Sequence, residues 1–299
     1  KREERNNMKD EIIDCLAYDG KVSIKCISSR EIVEKARKLH DLSPTASAAL
    51  GRLLTITSIM GYELKTEEAS ITNQIKGNGP IGILTAVADS NGNVKGYVGN
   101  SKVDLPLRES DGKLDVGGAV GKQGMLYIIK DLGIGKPYVG MTPIVSGEIA
   151  EDFTNYFATS EQTPTVIALG VLVDKNGIKS AGGYKLSLMP DAGEEEISKI
   201  EEQIKNIEPV SKMLDENKTL EEIAKIVTGD ENLKVLERTE PKFECNCSRE
   251  KCEKGLIAIG KKELEDIIKE EEKIQIECNF CNSKYVFTRE ELQEIVAKM

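Results

Sequence analysis

Four cysteines near the end of the 299-residue chain constrain its fold more than any other feature. One residue separates Cys245 from Cys247, two residues separate Cys278 from Cys281, and 30 residues lie between the pairs. Two closely spaced cysteine pairs that are far apart in sequence are typical of a tetrahedral four-thiolate zinc site. The sequence therefore predicts one Zn²⁺ ion per chain, held by these four residues, which joins two distant segments.

The segment that carries these cysteines, residues 239–299, is predicted to be a small zinc-binding domain. A segment of about 60 residues is short for a self-sufficient hydrophobic core, so the metal is expected to be integral to its folding. A fifth cysteine, Cys252, follows Cys247 by five residues. That spacing is too long for a compact metal-binding turn, and Cys252 is predicted to take no part in the site.

The short spacing within each pair leaves two interpretations open. Metal-bound thiolates are nucleophilic toward oxidants, and each close pair is able to form its own disulfide. Zinc would then lose its ligands, the link between the two segments would be lost, and oxidation would unfold the domain. The alternative is a permanently closed zinc site that only holds the tail together. Spacing alone does not decide between them.

Charge and hydropathy argue against several classes of protein. Residues 1–190 carry balanced charge, whereas residues 191–238 have a net charge of −7 and residues 239–299 a net charge of −3. No segment has the basic excess of a phosphate-binding surface, so nucleic acid is not an expected partner. No apolar run approaches the ~18–20 residues that span a membrane, so a membrane is not expected either. Residues 1–7 are predicted to be a disordered leader.

The location predicted for the protein is the cytoplasm, because no secretory signal is recognisable. The cytosol is reducing, and a cysteine cluster there binds metal or takes part in redox chemistry more often than it forms a structural disulfide framework.

Residues 8–190 are predicted to form a mixed α/β core domain with antiparallel sheet, which places the chain in the α+β class. Val22, Ile24 and Cys26 alternate as on one face of a strand, so Cys26 is predicted to be buried. Asn91-Gly92 and Asn176-Gly177 each lie between apolar runs, which indicates hairpins.

Two helices are predicted after this first strand. Ser28 and Glu31 have the spacing of a capping box, which predicts that Ser28 begins the first helix. Ser43 followed by Pro44 predicts the start of the second, with Pro44 at the first helical position.

Residues 191–238 are predicted to be a metastable helical linker. Ile200 and Ile204 belong to a narrow apolar stripe, and Thr219 with Glu222 forms a capping box at the start of a second helix. Short helices are marginal in water, and the excess of acidic side chains weakens them further. The pair is therefore expected to fold only when it is docked onto another surface.

The cysteine motif resembles the signature of the 33-kilodalton heat-shock protein family, the bacterial redox-regulated holdase chaperones. Further stretches resemble the same family, and the resemblance covers residues 8–290: Tyr156-Phe157-Ala-Thr-Ser-Glu-Gln162-Thr-Pro164-Thr, Gly117-Gly118-Ala-Val-Gly121 and Val145-Ser-Gly-Glu148. Thr163 departs from the aliphatic residue common at its position in the family.

The resemblance implies an α/β core, a metastable linker and a C-terminal zinc domain. It further implies that the reduced, zinc-bound form is inactive. Oxidation, especially with heat, would form the disulfides Cys245–Cys247 and Cys278–Cys281 and release zinc. The linker would then unfold, and the exposed surface would bind unfolding client proteins without ATP, typically as a homodimer. A protein of this kind is not an enzyme.

Two other functions compete with this hypothesis. A constitutive zinc-ribbon adaptor or nucleic-acid module would need a basic patch, which the acidic tail lacks. A thiol oxidoreductase would need free thiolates, which zinc would block. The glycine-rich run from Gly77 to Gly82 is predicted to be a turn, because Pro80 interrupts it and no helix follows. The single histidine, His40, is predicted to be a helix-end residue.

Overall fold

The computed structural model of the protein describes residues 9–299, so the leader predicted for residues 1–7 lies outside the described part. The chain forms two compact units, of which the first ends at Glu244 and the second begins at Cys245. The boundaries predicted for core, linker and zinc-binding domains stay predictions. No helix of the described residues has the length and apolar character needed to cross a membrane.

The first unit combines ten strands, seven α-helices and a short 3-10 helix (Tyr18–Gly20) within residues 9–244. The strands are β1 (Glu11–Ala17), β2 (Val22–Ser28), β3 (Ser70–Gly77), β4 (Ile83–Asp89), β5 (Val94–Val98), β6 (Gly124–Asp131), β7 (Tyr138–Pro143), β8 (Thr165–Asp174), β9 (Gly177–Leu188) and β10 (Lys234–Thr239). The helices are α1 (Arg30–His40), α2 (Pro44–Tyr62), α3 (Val116–Val120), α4 (Ala150–Thr159), α5 (Glu194–Lys205), α6 (Val210–Asp215) and α7 (Leu220–Thr228).

Two five-stranded antiparallel sheets organise this unit. One has the strand order β10-β1-β2-β9-β8, and the other has the order β5-β4-β3-β6-β7. The two predicted hairpins are confirmed, with Asn91-Gly92 between β4 and β5 and Asn176-Gly177 between β8 and β9. Helix α2 packs against strands of both sheets, and its apolar side chains are buried. The antiparallel mixed fold predicted from the sequence is therefore confirmed.

The predicted helix starts are half right. Ser43 accepts a hydrogen bond from the backbone N–H of Ala46 and caps α2, with Pro44 in the first turn. The capping box predicted at Ser28 is wrong, because Ser28 ends β2 and its hydroxyl accepts from the Glu11 backbone N–H. The buried carboxylate of Asp10, distant in sequence, accepts from the first backbone N–H groups of α1 instead.

The segment predicted to be two helices contains three helices and a strand. Thr219 and Glu222 form the predicted capping box at the start of α7. Beyond α7 the chain forms β10, which pairs with β1 and becomes an edge of the first sheet. Pattern reasoning misses β10 because half of its side chains are exposed and charged, and backbone pairing with β1 determines its structure.

Helices α5, α6 and α7 cover one face of the first sheet. Their apolar side chains form a single buried cluster with side chains of β1, β2 and β9. The helical members of this cluster are Ile200, Val210, Met213, Leu220, Ile223, Ala224 and Val227. The docking expected of these helices is thus present in the structure.

The second unit, residues 245–299, is built around one small core. It contains α8 (Arg249–Ile259), α9 (Lys261–Glu270), the hairpin strands β11 (Lys273–Glu277) and β12 (Lys284–Thr288), and α10 (Arg289–Ala297). Its buried apolar side chains are Leu256, Leu264, Phe287, Leu292 and Ile295. So small a set makes a further cross-link within this unit important for its stability.

Candidate metal centre

The four predicted ligands come from two arms of the second unit. Cys245 and Cys247 precede α8, whose first residue is Arg249. Cys278 and Cys281 lie in the turn that joins β11 to β12. The structure brings all four together, and their sulfur atoms lie within 4.8 Å of one another.

Local backbone chemistry shapes the second arm. The backbone N–H groups of Cys281 and Asn282 donate to the Cys278 carbonyl at 3.2 and 2.7 Å. The Cys278 N–H donates to the Ser283 carbonyl at 2.9 Å, which closes the hairpin. Asn282 has a φ of 56°, in the left-handed region that asparagine tolerates better than most residues. The turn therefore presents both of its cysteines on the same side.

Distances between the sulfurs fit a tetrahedral thiolate site. Four sulfurs bound at about 2.3 Å to a tetrahedral Zn²⁺ lie about 3.8 Å from one another. The Sγ atoms of Cys245 and Cys278 are 3.7 Å apart, and those of Cys247 and Cys281 are 3.2 Å apart. Soft sulfur donors in this arrangement suit zinc, and the four residues are able to hold one such ion.

Hydroxyl groups surround the sulfurs on the side of the hairpin. The Tyr285 hydroxyl lies 3.2 Å from the Cys247 sulfur, and the Ser283 hydroxyl lies 3.2 Å from the Cys281 sulfur. Burial raises the pKa of the Cys281 thiol, but hydrogen bonds with Ser283 and with the Cys247 and Cys245 sulfurs together outweigh this effect and lower that pKa to about 6. Burial raises the pKa of the Cys245 thiol to about 12. The Cys281 sulfur is thus expected to be a thiolate near neutral pH even without metal.

Arg249 joins the two arms independently of any metal. Its guanidinium lies 4.1 Å from the ring centroid of Phe287 and donates to the Val286 carbonyl at 2.8 Å. It also forms a 2.6 Å ion pair with Glu291 on α10. Sequence reasoning missed Arg249, Ser283 and Tyr285, because no spacing rule identifies residues that support metal ligands. Their closeness in sequence to the cysteines was the signal available.

The remaining cysteines lie outside the cluster. Cys252 is on α8 and packs against the small core of the second unit. Cys15 and Cys26 are buried in the first unit, as predicted for Cys26. None of the seven cysteines, all of which lie within the described residues, is joined to another by a disulfide.

The other motifs weighed in the sequence occupy structural positions. Gly79 and Pro80 lie in a turn ahead of β4, so this glycine-rich run does not open a helix. His40 is the last residue of α1, and its Nε2 atom lies 3.0 Å from the Gly96 carbonyl oxygen.

Comparison with known proteins gives a consistent result. The family model described as Hsp33 protein matches residues 10–288. The chain is 48% identical to the 33 kDa chaperonin of Clostridioides difficile (strain 630), with 98% of this chain and 100% of the relative covered. It is 47% identical to the 33 kDa chaperonin of Bacillus cytotoxicus, with 97% and 99% covered. The crystal structure of the 33 kDa chaperonin of Thermotoga maritima is similar, with a TM-score of 0.87, 40% identity, and 97% and 99% of the two chains covered.

Proposed function

Because the chain belongs to the Hsp33 family of chaperones, we propose that it is a redox-regulated holdase that works without ATP. In the reduced form, Cys245, Cys247, Cys278 and Cys281 hold one Zn²⁺, and the protein is inactive. The observation that carries the proposal is the convergence of these four sulfurs from two arms of one small unit. That unit has a core of only five buried apolar side chains, so it needs the cross-link that a bound metal supplies.

Activation is an oxidation of the four thiolates. Each close pair gives two electrons to a peroxide, one sulfur–sulfur bond forms per pair, and each peroxide takes up two protons and becomes two waters. The products are the disulfides Cys245–Cys247 and Cys278–Cys281, and the zinc ion leaves. The sulfur distances of 3.7 Å and 3.2 Å described above, by contrast, run between the arms. Short spacing within each pair favours the proposed disulfides once the metal is lost and the arms separate, because the loop closed is only a few residues long.

Loss of the cross-link acts on the linker, residues 191–238, which connects the α/β core, residues 8–190, to the zinc domain, residues 239–299. The linker buries a narrow apolar stripe on the sheet and carries a net charge of −7. Its undocking would expose both apolar surfaces, which bind unfolding client proteins and prevent their aggregation.

Several further properties belong to the same proposal. The protein acts in the cytoplasm under oxidative stress, and the active form is a homodimer. It is not an enzyme, since zinc occupies the thiolates at rest. Nucleic acid and membrane are not among its partners, which agrees with the lack of a basic segment.

Two assays run on one sample test the proposal. Peroxide at elevated temperature is expected to release about one zinc ion per chain, measured with a chromophoric chelator, and to suppress aggregation of a thermally unfolding client in parallel. Peptide mass spectrometry then maps the disulfides. Zinc release without suppression of aggregation would refute the holdase function, and disulfides between the arms would refute the proposed pairing.

A matched pair of variants separates the metal ligands from the fifth cysteine. Cys278→Ser removes one ligand and is expected to lose zinc and hold clients without oxidant. Cys252→Ser is expected to behave as the unchanged protein, because Cys252 lies outside the sulfur cluster. Equal behaviour of the two variants would contradict the assignment of the site.

A further inference from the structure

Two cysteines of the first unit lie side by side on the sheet face that the linker covers. Cys15 on β1 and Cys26 on β2 are both fully buried. They belong to the same apolar cluster, which contains side chains of the sheet and of α5, α6 and α7. The redox chemistry of the zinc site uses neither of them.

The cover over Cys15 comes from the linker itself. Cys15 is paired with Val235 of β10 on one side and with Ile24 of β2 on the other. Helix α7 packs on β1 and on β2, so a strand and a helix of the linker both lie against the strands that carry the two cysteines. Removal of residues 191–238 would therefore uncover the Cys15 thiol and the face on which Cys26 lies.

The register of the strands keeps the two thiols from forming a disulfide with each other. Cys15 lies opposite Ile24, and Cys26 lies opposite Ile13, so the two cysteines are diagonal neighbours. Diagonal residues on antiparallel strands have Cα atoms about 7–8 Å apart, whereas the Cα atoms of a disulfide usually lie about 4.4–6.8 Å apart. An oxidant or electrophile that reacts here must come from outside the protein.

We propose that Cys15 and Cys26 form a cryptic thiol-modification site, closed while the linker is docked and open to small disulfides and electrophiles once it undocks. The inference rests on the proposed function, since the undocking step belongs to it. Modification of Cys15 or Cys26 would mark protein whose linker has undocked, independently of the zinc site.

Burial excludes reagents from the closed site, and it also makes the two thiols less reactive by disfavouring their charged thiolate forms. It raises the pKa of the Cys15 thiol from 9.0 to about 12, and it raises the pKa of Cys26 as well. The thiolate is the reactive form. Return of Cys15 to its ordinary pKa would raise its thiolate fraction near neutral pH on the order of 1000-fold, before any gain in access.

The reaction is a thiol–disulfide exchange when the reagent is a small disulfide such as glutathione disulfide. The cysteine thiolate attacks one sulfur, a new sulfur–sulfur bond forms to the protein, the original bond breaks, and one glutathione thiolate leaves. The charged adduct has no room at a position with no exposed surface. Modified protein would therefore be unable to re-dock its linker.

The first test measures labelling by N-ethylmaleimide at each cysteine with peptide mass spectrometry, in the full-length protein. Zinc-loaded protein is expected to label Cys15 and Cys26 at least 100-fold more slowly than protein opened with peroxide and heat. Zinc release and client binding are followed in the same sample. If zinc leaves and clients are held while both thiols stay inert, the inference is wrong and the proposed function stands. If zinc stays bound under peroxide, the proposed function fails.

A variant that opens the linker without oxidant makes the test independent of the zinc chemistry. Ile223→Asp places a charge in the buried face of α7, whereas Ile226→Asp places the same charge on its exposed face. The first variant is expected to label Cys15 at least 100-fold faster than the second, with zinc still bound and Cys252 labelled equally in both. Hydrogen exchange of β3 and β6 shows whether the rest of the first unit remains folded. Equal labelling of Cys15 in two folded variants overturns the proposal.

A third test asks whether modified protein can re-dock its linker after the metal site is restored. In peroxide-opened protein the zinc ligands are protected as disulfides, so N-ethylmaleimide reacts with the other thiols. Reductant and zinc then restore the metal site, while the thioether adducts remain. Labelled protein is expected to keep a protease-sensitive linker, and the double variant Cys15→Ala/Cys26→Ala is expected to become resistant again. Equal recovery of both would show that modification does not block re-docking.

Discussion

Docking of the linker depends on a small number of buried side chains, of which Ile223 is the most informative to change. It lies on α7 with no exposed surface and packs into the cluster shared with β1, β2 and β9. Ile226 lies three residues later on the same helix and is 38% exposed. Ile223→Ala and Ile226→Ala therefore remove the same atoms from one helix, in one case from its buried face and in the other from its exposed face.

The expected effect follows from the loss of buried methyl groups. Truncation of a fully buried isoleucine to alanine costs about 2–5 kcal/mol, whereas exposed substitutions stay within about 0.5 kcal/mol. If the linker undocks separately from the core, this energy is lost from docking alone. At about 1.4 kcal/mol per factor of ten, the undocked population rises at least about 30-fold in Ile223→Ala and hardly changes in Ile226→Ala.

Hydrogen exchange followed by mass spectrometry on zinc-loaded, reduced protein measures this population. Ile223→Ala is expected to speed exchange in residues 194–239 by about 30-fold or more, with β3, β4 and β6 unchanged. Suppression of client aggregation should then appear without oxidant. The reasoning is refuted if the exchange of β3, β4 and β6 rises as much as that of the linker, because the linker would then unfold only together with the core.

Three further outcomes are expected. Removal of zinc with a chelator should unfold residues 245–299, measured by circular dichroism and proteolysis, because structural zinc contributes about 10–16 kcal/mol, as much as an entire small domain. Arg249→Ala should weaken zinc binding about 5- to 30-fold in competition with a chromophoric chelator, because contacts between the arms of about 1–2 kcal/mol are lost; Arg289→Ala is the control. Burial raises the pKa of Asp10 to about 7 from 3.8. The protonated Asp10 side chain therefore contributes stability that is fully present below pH 3.8 and is lost as the pH rises to about 7. The melting temperature should fall over this range, and the fall should be smaller in Asp10→Asn.

The parts of the structure that sequence predicted are those fixed by local chemistry. Asn-Gly pairs specify tight turns, and both predicted hairpins form. Ser43 followed by Pro44 favours a helix start, and α2 begins there. The cysteine pairs specify a thiolate cluster because few other roles need two such pairs, and the four sulfurs converge.

The parts that sequence reasoning missed depend on long-range partners. Asp10 caps α1 from about twenty residues away in the chain, which displaced the capping role expected of Ser28. Strand β10 has a charged exposed pattern and exists because β1 offers it an edge. Tyr285 approaches the Cys247 sulfur only because the β11–β12 hairpin brings it there. No periodicity within one segment reports such contacts.

The position of the linker in the chain leads us to expect that, under the proposed mechanism, one stress alone would open it poorly. The stretch between the linker and the cysteines is anchored at Phe243, a buried residue two positions before Cys245. Around it, the Val94 N–H donates to the Lys242 carbonyl at 2.8 Å, and the Glu244 N–H donates to the Val94 carbonyl at 3.0 Å. Loss of zinc breaks none of these contacts, nor the pairing of β10 with β1. Oxidation therefore removes only the metal cross-link, which follows Glu244 in the chain. Heat is still needed to detach β10 from β1. Under the proposed mechanism, oxidant and heat together would therefore activate the protein far more strongly than either one alone.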